Sequence, residues 1–153
     1  MINNFATKFM IIVCFSLLTF SCESSKGVKN SQLTAVEMTF TGMSGSTQIK
    51  AEKGKFKKVT TERNGEIKED FVRKESGESK YWTDITNLVS EINLSEIENW
   101  EAPTQKRFYD GARGAVLKIT FGDTEYVSQT FDEGEPMAEF KELYDYLVSV
   151  VNQ

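Results

Sequence analysis

From about residue 36 onward, apolar and polar residues alternate in short runs, the pattern of β-strands that bury one face. In the first run, Val36, Met38 and Phe40 fall on one side and polar residues lie between them. Asn64-Gly65 separates two later runs and predicts a hairpin, because both residues tolerate the positive φ of a type I′ turn. The alternation predicts six strands, over about 36–40, 47–51, 55–62, 66–74, 113–121 and 124–131.

Two segments change to the period of an amphipathic helix. The first covers residues 80–93, and the second begins with Pro136 at its first position, where proline is well tolerated. The acidic residues before Pro136 suit the positive end of the helix dipole. The apolar stripe of the first helix is Tyr81, Ile85, Leu88, Val89 and Ile92, and that of the second is Met137, Phe140, Leu143, Tyr144, Leu147 and Val151.

The order of elements is therefore four strands, a helix, two strands and a final helix. Short turns join consecutive strands, so the sheet should be mainly antiparallel, and both helices should cover the same face of it. The sequence predicts an α+β fold, a two-layer sandwich with about six strands and two main helices. Residues 35–153 are enough for one domain with one core.

The start of the chain has a different character. Lys8 precedes a short apolar run at residues 9–20, which is typical of a secretory signal peptide. A helix that spans a bilayer needs about 20 apolar residues, so we expect residues 1–21 to be removed. Residues 22–34 are polar and lack periodicity, and they predict a flexible tether.

Cys22 lies where cleavage of this leader is expected. The flank resembles a bacterial lipoprotein signal in the looser style of Bacteroidota, although Thr19 and Phe20 stand where the usual box has leucine and a small residue. The resemblance implies that Cys22 carries fatty acyl groups such as palmitate and becomes the mature N-terminus. The protein would then be held in the bacterial cell envelope, at the periplasmic face or the cell surface. An ordinary cleaved signal with an incidental cysteine is the alternative.

Charge and composition narrow the chemistry. The chain carries a net charge of −5, and Lys8 is the only charged residue of the leader, so the remainder is more acidic still. This balance opposes binding to nucleic acid. The chain has no histidine, and its two cysteines are Cys14 in the leader and Cys22. The expected mature protein therefore lacks the residues for histidine-based catalysis, for histidine-ligated zinc and for a free thiolate nucleophile.

Two loops partly resemble reactive motifs, and neither has the full motif. Residues 42–46 lack the fifth-position glycine of a nucleophile elbow and the closing Gly-Lys-Ser/Thr of a P-loop. Residues 132–135 are acidic, yet the run is too short for a calcium loop of the EF-hand type. We therefore predict no cofactor, no metal site and no catalytic residues.

The most distinctive loop covers residues 107–114 and combines two arginines, two aromatic residues, an aspartate and two glycines. Arginine and tyrosine are common in recognition hot spots, and binding residues often lie on loops that a rigid scaffold holds. If the last two strands pair, Arg107 or Arg113 can form an ion pair with Asp132. That pair could simply fix the loop, or the loop could be a recognition patch. The candidate binding residues are Arg107, Tyr109, Asp110, Arg113 and Asp132.

These features favour a membrane-tethered, non-catalytic domain outside the cytoplasm that binds a protein partner or acts as an inhibitor. The element order resembles that of emfourin-type inhibitors over roughly residues 35–150, and this resemblance implies no residue roles. Two alternatives remain open. One is a structural or accessory envelope lipoprotein without selective binding, and the other is a hydrolase built on carboxylates or a Ser/Lys pair. No pair of carboxylates is spaced for glycosidase or protease chemistry, so we expect no enzymatic activity.

The lipoprotein interpretation predicts the mass of the protein extracted from membranes. We expect intact-mass analysis to find a chain that begins at Cys22 and carries fatty acyl groups on that residue. Replacing Cys22 by serine should abolish the acylated species, because the hydroxyl does not replace the thiol as the acceptor. An unmodified Cys22 in the wild-type protein would contradict the predicted anchor.

Overall fold

The computed structural model describes residues 32–74 and 79–152. The predicted leader, Cys22 and the tether up to residue 31 lie outside these described residues. The helices are α1 (Lys80–Ser90) and α2 (Lys141–Val151). The strands are β1 (Leu33–Gly42), β2 (Gly45–Glu52), β3 (Lys55–Glu62), β4 (Ile67–Lys74), β5 (Gly114–Phe121), β6 (Thr124–Val127) and β7 (Phe131–Asp132).

These elements form one antiparallel sheet with a helical layer, which confirms the predicted α+β sandwich. The order of strands across the sheet is β4-β3-β2-β1-β5-β6, and β7 pairs with β5. Every neighbouring pair is antiparallel. The first strand therefore lies inside the sheet, with β2 on one side and β5 on the other.

One face of the sheet is apolar and forms the core with the helices. Val36 and Met38 of β1 lie at its centre and are fully buried. Met38 pairs with Ile49 of β2 and with Leu117 of β5, so the apolar rows of three strands coincide. Burial of such side chains contributes about 1.5–3 kcal/mol each. The helices add Trp82, Ile85 and Val89 from α1 and Leu143, Leu147 and Val150 from α2.

The opposite face of the sheet is polar. Glu37 accepts a hydrogen bond from Gln48 at 3.0 Å and forms ion pairs with Lys50 and Lys118 at 3.3 and 3.6 Å. Lys118 also pairs with Glu125 at 3.1 Å. Charged side chains thus compensate one another across four strands, as expected for a sheet face that meets solvent.

Helix α1 begins where the sequence predicts. Ser79 has an extended backbone, and its hydroxyl accepts a hydrogen bond from the Trp82 amide at 3.3 Å. This N-cap satisfies one of the amide groups that a first helical turn leaves without a partner. The helix ends at Ser90, earlier than the predicted residue 93.

The predicted hairpin at Asn64-Gly65 is confirmed, but its turn differs from the two-residue form. The Glu62 amide donates to the Glu66 carbonyl at 2.8 Å, so three residues lie between the paired positions. The Gly65 amide donates to the Glu62 carbonyl at 2.9 Å, and Gly65 has a φ of 85°. A three-residue hairpin requires this left-handed position at its end, and glycine adopts it without strain.

Two strand boundaries differ from the sequence prediction. β1 begins at Leu33, so Leu33 and Thr34 belong to the sheet rather than to the tether, and Leu33 is buried and pairs with Phe121. The predicted sixth strand is divided into β6 and β7. Ser128 follows β6, and its hydroxyl accepts a hydrogen bond from the Leu117 amide of β5 at 3.0 Å. A side chain thus replaces a backbone partner where the pairing of β6 with β5 ends.

The predicted start of the second helix at Pro136 is wrong. Met137 has an extended backbone, residues 138–140 form a 3-10 turn, and α2 begins only at Lys141. Pro136 and Met137 are both buried, so this stretch passes along the core before the helix starts. The acidic residues 132–135 therefore do not cap α2, and Asp132 has different partners.

Candidate functional site

Strand β7 carries a carboxylate that solvent does not reach. Asp132 is fully buried. Its Oδ2 atom accepts hydrogen bonds from the Thr104 hydroxyl and the Lys106 amide, both at 2.6 Å. Its Oδ1 atom accepts hydrogen bonds from the Arg107 amide and from Nη1 of Arg107, both at 3.0 Å. A buried carboxylate needs such donors, because an isolated charge in the interior is very costly.

The pairing of β7 with the start of β5 puts Asp132 in place. Asp132 is opposite Gly114, and Phe131 is opposite Ala115. Phe131 is fully buried and anchors this short strand in the core. The carboxylate consequently joins the end of the sheet to a loop that lies 25 residues earlier in the chain.

The sequence allows either Arg107 or Arg113 as the ion-pair partner of Asp132, and in the structure the partner is Arg107. Arg107 forms the ion pair with Asp132, at 3.0 Å. Arg113 instead pairs with Glu133 at 3.3 Å and donates a hydrogen bond to the Phe40 carbonyl at 3.2 Å. Both arginines therefore attach the loop to the body of the domain, at different points.

The hydrogen bonds also set the charge state of Asp132. Burial alone would raise its pKa, but donors from Thr104, Arg107 and Lys106 outweigh burial and hold the pKa well below its ordinary value. The carboxylate is therefore ionised at neutral pH. Both of its oxygens are occupied by donors, so it is poorly placed to act on a substrate.

The loop held by Asp132 presents two aromatic rings to solvent. Residues 106–108 form a 3-10 turn, and Phe108 and Tyr109 at its end are 73% and 76% exposed. The guanidinium carbon of Arg107 lies 4.5 Å from the centroid of the Phe108 ring. This cation–π contact orients one exposed ring without burying it.

Asp110 and Gly111 then turn the chain back toward β5. The side chain of Asp110 accepts a hydrogen bond from the Ala112 amide at 3.2 Å. Gly111 has a φ of 73°, in the left-handed region that favours glycine. The exposed carboxylate of Asp110 thus has a local role in closing the turn.

A third exposed apolar side chain lies at the same end of the sheet. Met43, in the turn between β1 and β2, is 86% exposed. Thr41 pairs with Gly114, and a Cβ atom added to Gly42 would lie 2.7 Å from Cγ of Arg113, so this turn adjoins the end of the loop. We name the set Met43, Phe108 and Tyr109 the apolar tip.

Charged residues border the apolar tip. Lys106 pairs with Glu135 at 2.8 Å, and Arg113 pairs with Glu133 at 3.3 Å. The Arg63 amide donates to the Ser44 carbonyl at 3.0 Å, which joins the β3–β4 turn to the turn that holds Met43. Charged and polar groups that are already paired therefore flank the exposed apolar side chains in the chain.

The structure brings some of the sequence-predicted residues together and separates others. Arg107 and Asp132 are in direct contact, Arg113 lies beside Glu133, and Tyr109 and Asp110 point to solvent. Phe108 belonged to the aromatic pair of the predicted loop but not to the predicted binding residues. Thr104 and Lys106, which also donate to Asp132, are not among the predicted site residues. No local pattern indicates them, because they lie 28 and 26 residues from Asp132.

The surroundings of the loop are polar. A pocket of about 410 Å³ beside it is lined by Asn99, Glu101, Ala102, Gln105, Arg107 and Gln129. Within residues 32–74 and 79–152, no three or more acidic or cysteine side chains are grouped so that they could hold a metal ion. In the same part of the chain, no helix has the length and apolarity needed to cross a membrane.

Comparison with known proteins identifies no relative. The chain matches no protein-family model, no curated protein and no solved structure. What the protein does must therefore be inferred from the geometry of the site.

Replacing Asp132 by asparagine should destabilise the fold at neutral pH, because Arg107 would remain largely buried without its counter-charge. We expect the melting temperature to fall by roughly 10 °C. The matched control is Asp110→Asn, which removes an exposed carboxylate and should change the melting temperature by no more than about 2 °C.

The same variant should show a distinct pH dependence. The pKa of Asp132 is lower in the folded than in the unfolded protein, so its charge stabilises the fold above pH 4 or so and loses this effect as the pH falls through the folded value. The gap in stability between wild type and Asp132→Asn should be constant above about pH 5 and should narrow on further acidification. A gap that does not change between neutral pH and strong acid would show that the charge of Asp132 does not matter.

Proposed function

We propose that the protein is a lipid-anchored, non-catalytic domain of the bacterial cell envelope that binds a partner protein through the apolar tip. One observation supports this most strongly. The backbone of the loop is attached to a buried carboxylate at Lys106 and Arg107, yet the next two side chains, Phe108 and Tyr109, remain mostly exposed.

A loop that is fixed before binding lowers the entropic cost of association. The amides of Lys106 and Arg107 are already bound by Asp132 in the isolated chain. The backbone just before Phe108 and Tyr109 is therefore fixed before a partner arrives. Aromatic side chains supply large contact areas with few rotatable bonds, which makes them effective anchors.

The composition of the apolar tip supports the proposal of a protein-binding surface. Aromatic residues and methionine are enriched in interface cores, whereas charged residues are kept to the rim. Met43, Phe108 and Tyr109 form the apolar part here, and the ion pairs of Lys106 and Arg113 border it. Exposed apolar groups with a polar rim often mark interaction sites.

The position of the apolar tip also suits a tethered protein. Gln32 accepts a hydrogen bond from the Gly122 amide at 3.2 Å, beside the β5–β6 turn. Met43 follows the other end of β1, a strand of ten residues that would be about 33 Å long at a typical rise per residue. Gln32, where the described part of the chain begins, therefore lies far from the tip.

The two alternatives explain less. A purely structural loop accounts for the Arg107–Asp132 pair but leaves two large rings in solvent, where their burial would have stabilised the fold. A carboxylate-based hydrolase needs an accessible acid, commonly one with a raised pKa. Asp132 has the opposite properties, because it is buried and its pKa is lowered.

Replacing Phe108 and Tyr109 together by serine should remove partner binding and leave the fold intact, because neither ring is buried. The tagged full chain would be recovered after cross-linking in the native envelope, and the proteins recovered with it would be quantified. We expect the wild-type protein to enrich one partner protein. The double variant should enrich that partner about tenfold less, or not at all. The melting temperatures should agree within about 2 °C.

Two variants serve as controls for this experiment. Tyr109→Phe keeps the ring and should keep the partner. Asp123→Ser lies in the β5–β6 turn, at the end of the sheet opposite the apolar tip, and should also keep it. The proposal fails if wild type enriches no protein, or if the double variant enriches the same protein equally well.

A further inference from the structure

Strand β4 forms a long outer edge of the sheet. It has eight residues, and no described strand pairs with its outer side. The other outer strand, β6, has only four residues, and a short edge strand is a common protection against unwanted pairing. The outer edge of β4 thus offers a row of backbone donors and acceptors to another strand.

A bulge determines which β4 side chains share a face. Phe71 pairs with Lys58 and Glu69 pairs with Val59, so Asp70 is an extra residue between them. Asp70 accepts a hydrogen bond from Thr60, and Arg73 lies 4.5 Å from the ring of Tyr81 in α1, which puts both on the helix side of the sheet. On the other side of the strand lie Glu69, Val72 and Lys74.

We propose that β4 pairs antiparallel with β4 of a second copy of this chain, about a twofold axis at Val72. The bulge makes the faces match in this register. Counted from Val72, Phe71 and the bulged Asp70 together are opposite Arg73 of the second copy on the helix face. Glu69 is then opposite Lys74 of the second copy on the polar face. Val72, which is 43% exposed, meets its own equivalent at the axis.

Charge complementarity supports a second copy as the occupant. The twofold axis repeats each pair, so four opposite-charge contacts form and no like charges meet. Among residues 32–74 and 79–152, neither Glu69 nor Lys74 has an ion-pair partner, and neither has Arg73, whose guanidinium carbon lies 5.5 Å from the ring centroid of Phe71 and 4.5 Å from that of Tyr81. These charges are therefore available to a neighbouring strand.

Other registers bring like charges together. A shift toward the start of the strand puts Arg73 opposite Lys68 of the second copy and Asp70 opposite its own equivalent. A shift the other way puts Arg73 opposite Arg73. Charges that only protect an edge strand would repel a second copy of the strand in every register. The charges of β4 repel a second β4 strand in the two shifted registers and attract it in the register with the axis at Val72.

Cysteine cross-linking of the full chain tests this pairing. Membranes that contain the Val72→Cys variant are solubilised with mild detergent and treated with a short bis-maleimide. Mass spectrometry then identifies the linked peptide, which distinguishes a link at residue 72 from a link at Cys14 or Cys22. We expect a dimer linked from residue 72 to residue 72. The control is Ile67→Cys, which is more exposed at 67% but would lie roughly 30 Å from its equivalent, and it should give no link.

Charge reversal on the Val72→Cys background tests the register. Glu69→Lys or Lys74→Glu alone should lower the linked fraction about tenfold, because each creates two like-charge contacts. The double variant Glu69→Lys/Lys74→Glu restores opposite charges and should recover the linkage. The proposal is overturned if residue 72 gives no link, if it links to a different protein, if Ile67→Cys links equally well, or if the double variant fails to recover.

Discussion

The buried carboxylate of Asp132 accepts hydrogen bonds from two backbone amides, a hydroxyl and a guanidinium. Without these donors the charge could not remain in the interior, and without the carboxylate the amides of Lys106 and Arg107 would lose their partners. The core and the exposed loop are thus stabilised together. Strand β7 can end in the charged residue Asp132 because donors from residues 104–107 bind its carboxylate.

This arrangement explains how the domain combines a stable fold with an exposed apolar surface. The helices and the apolar face of the sheet bury most of the large side chains. Phe108 and Tyr109 instead project into solvent from a backbone segment that the Asp132 carboxylate fixes. Free energy from the buried ion pair and the core can hold the loop in a conformation that exposes these rings. The proposed function depends on this division between a buried anchor and exposed side chains.

Local patterns in the sequence were enough for most of the architecture. The alternation of Val36, Met38 and Phe40 indicates a strand because one face of it is buried, and the Asn64-Gly65 turn has a backbone requirement that few residues meet. The start of α2 was missed for the opposite reason. Acidic residues before Pro136 satisfy the local rule for a helix start, but Asp132 is engaged by residues far away in the chain.

The candidate site follows the same distinction. The unusual composition of residues 107–114 singled out the loop, and the reversal of the chain between β5 and β7 explains why Asp132 lies near it. Thr104 and Lys106 could not be found from the sequence, because nothing local distinguishes a threonine or an amide that will bind a distant carboxylate. The anchor at Cys22 lies outside the described residues and stays a prediction.

Hydrogen–deuterium exchange at the amides of Lys106 and Arg107 tests most directly whether Asp132 fixes the loop. These amides lie just before two exposed residues, in a loop where rapid exchange would be the default expectation. If both are bound by the buried carboxylate, they should exchange far more slowly than the amide of Gly111 in the following turn. Exchange of all three amides at the same rapid rate would contradict the account.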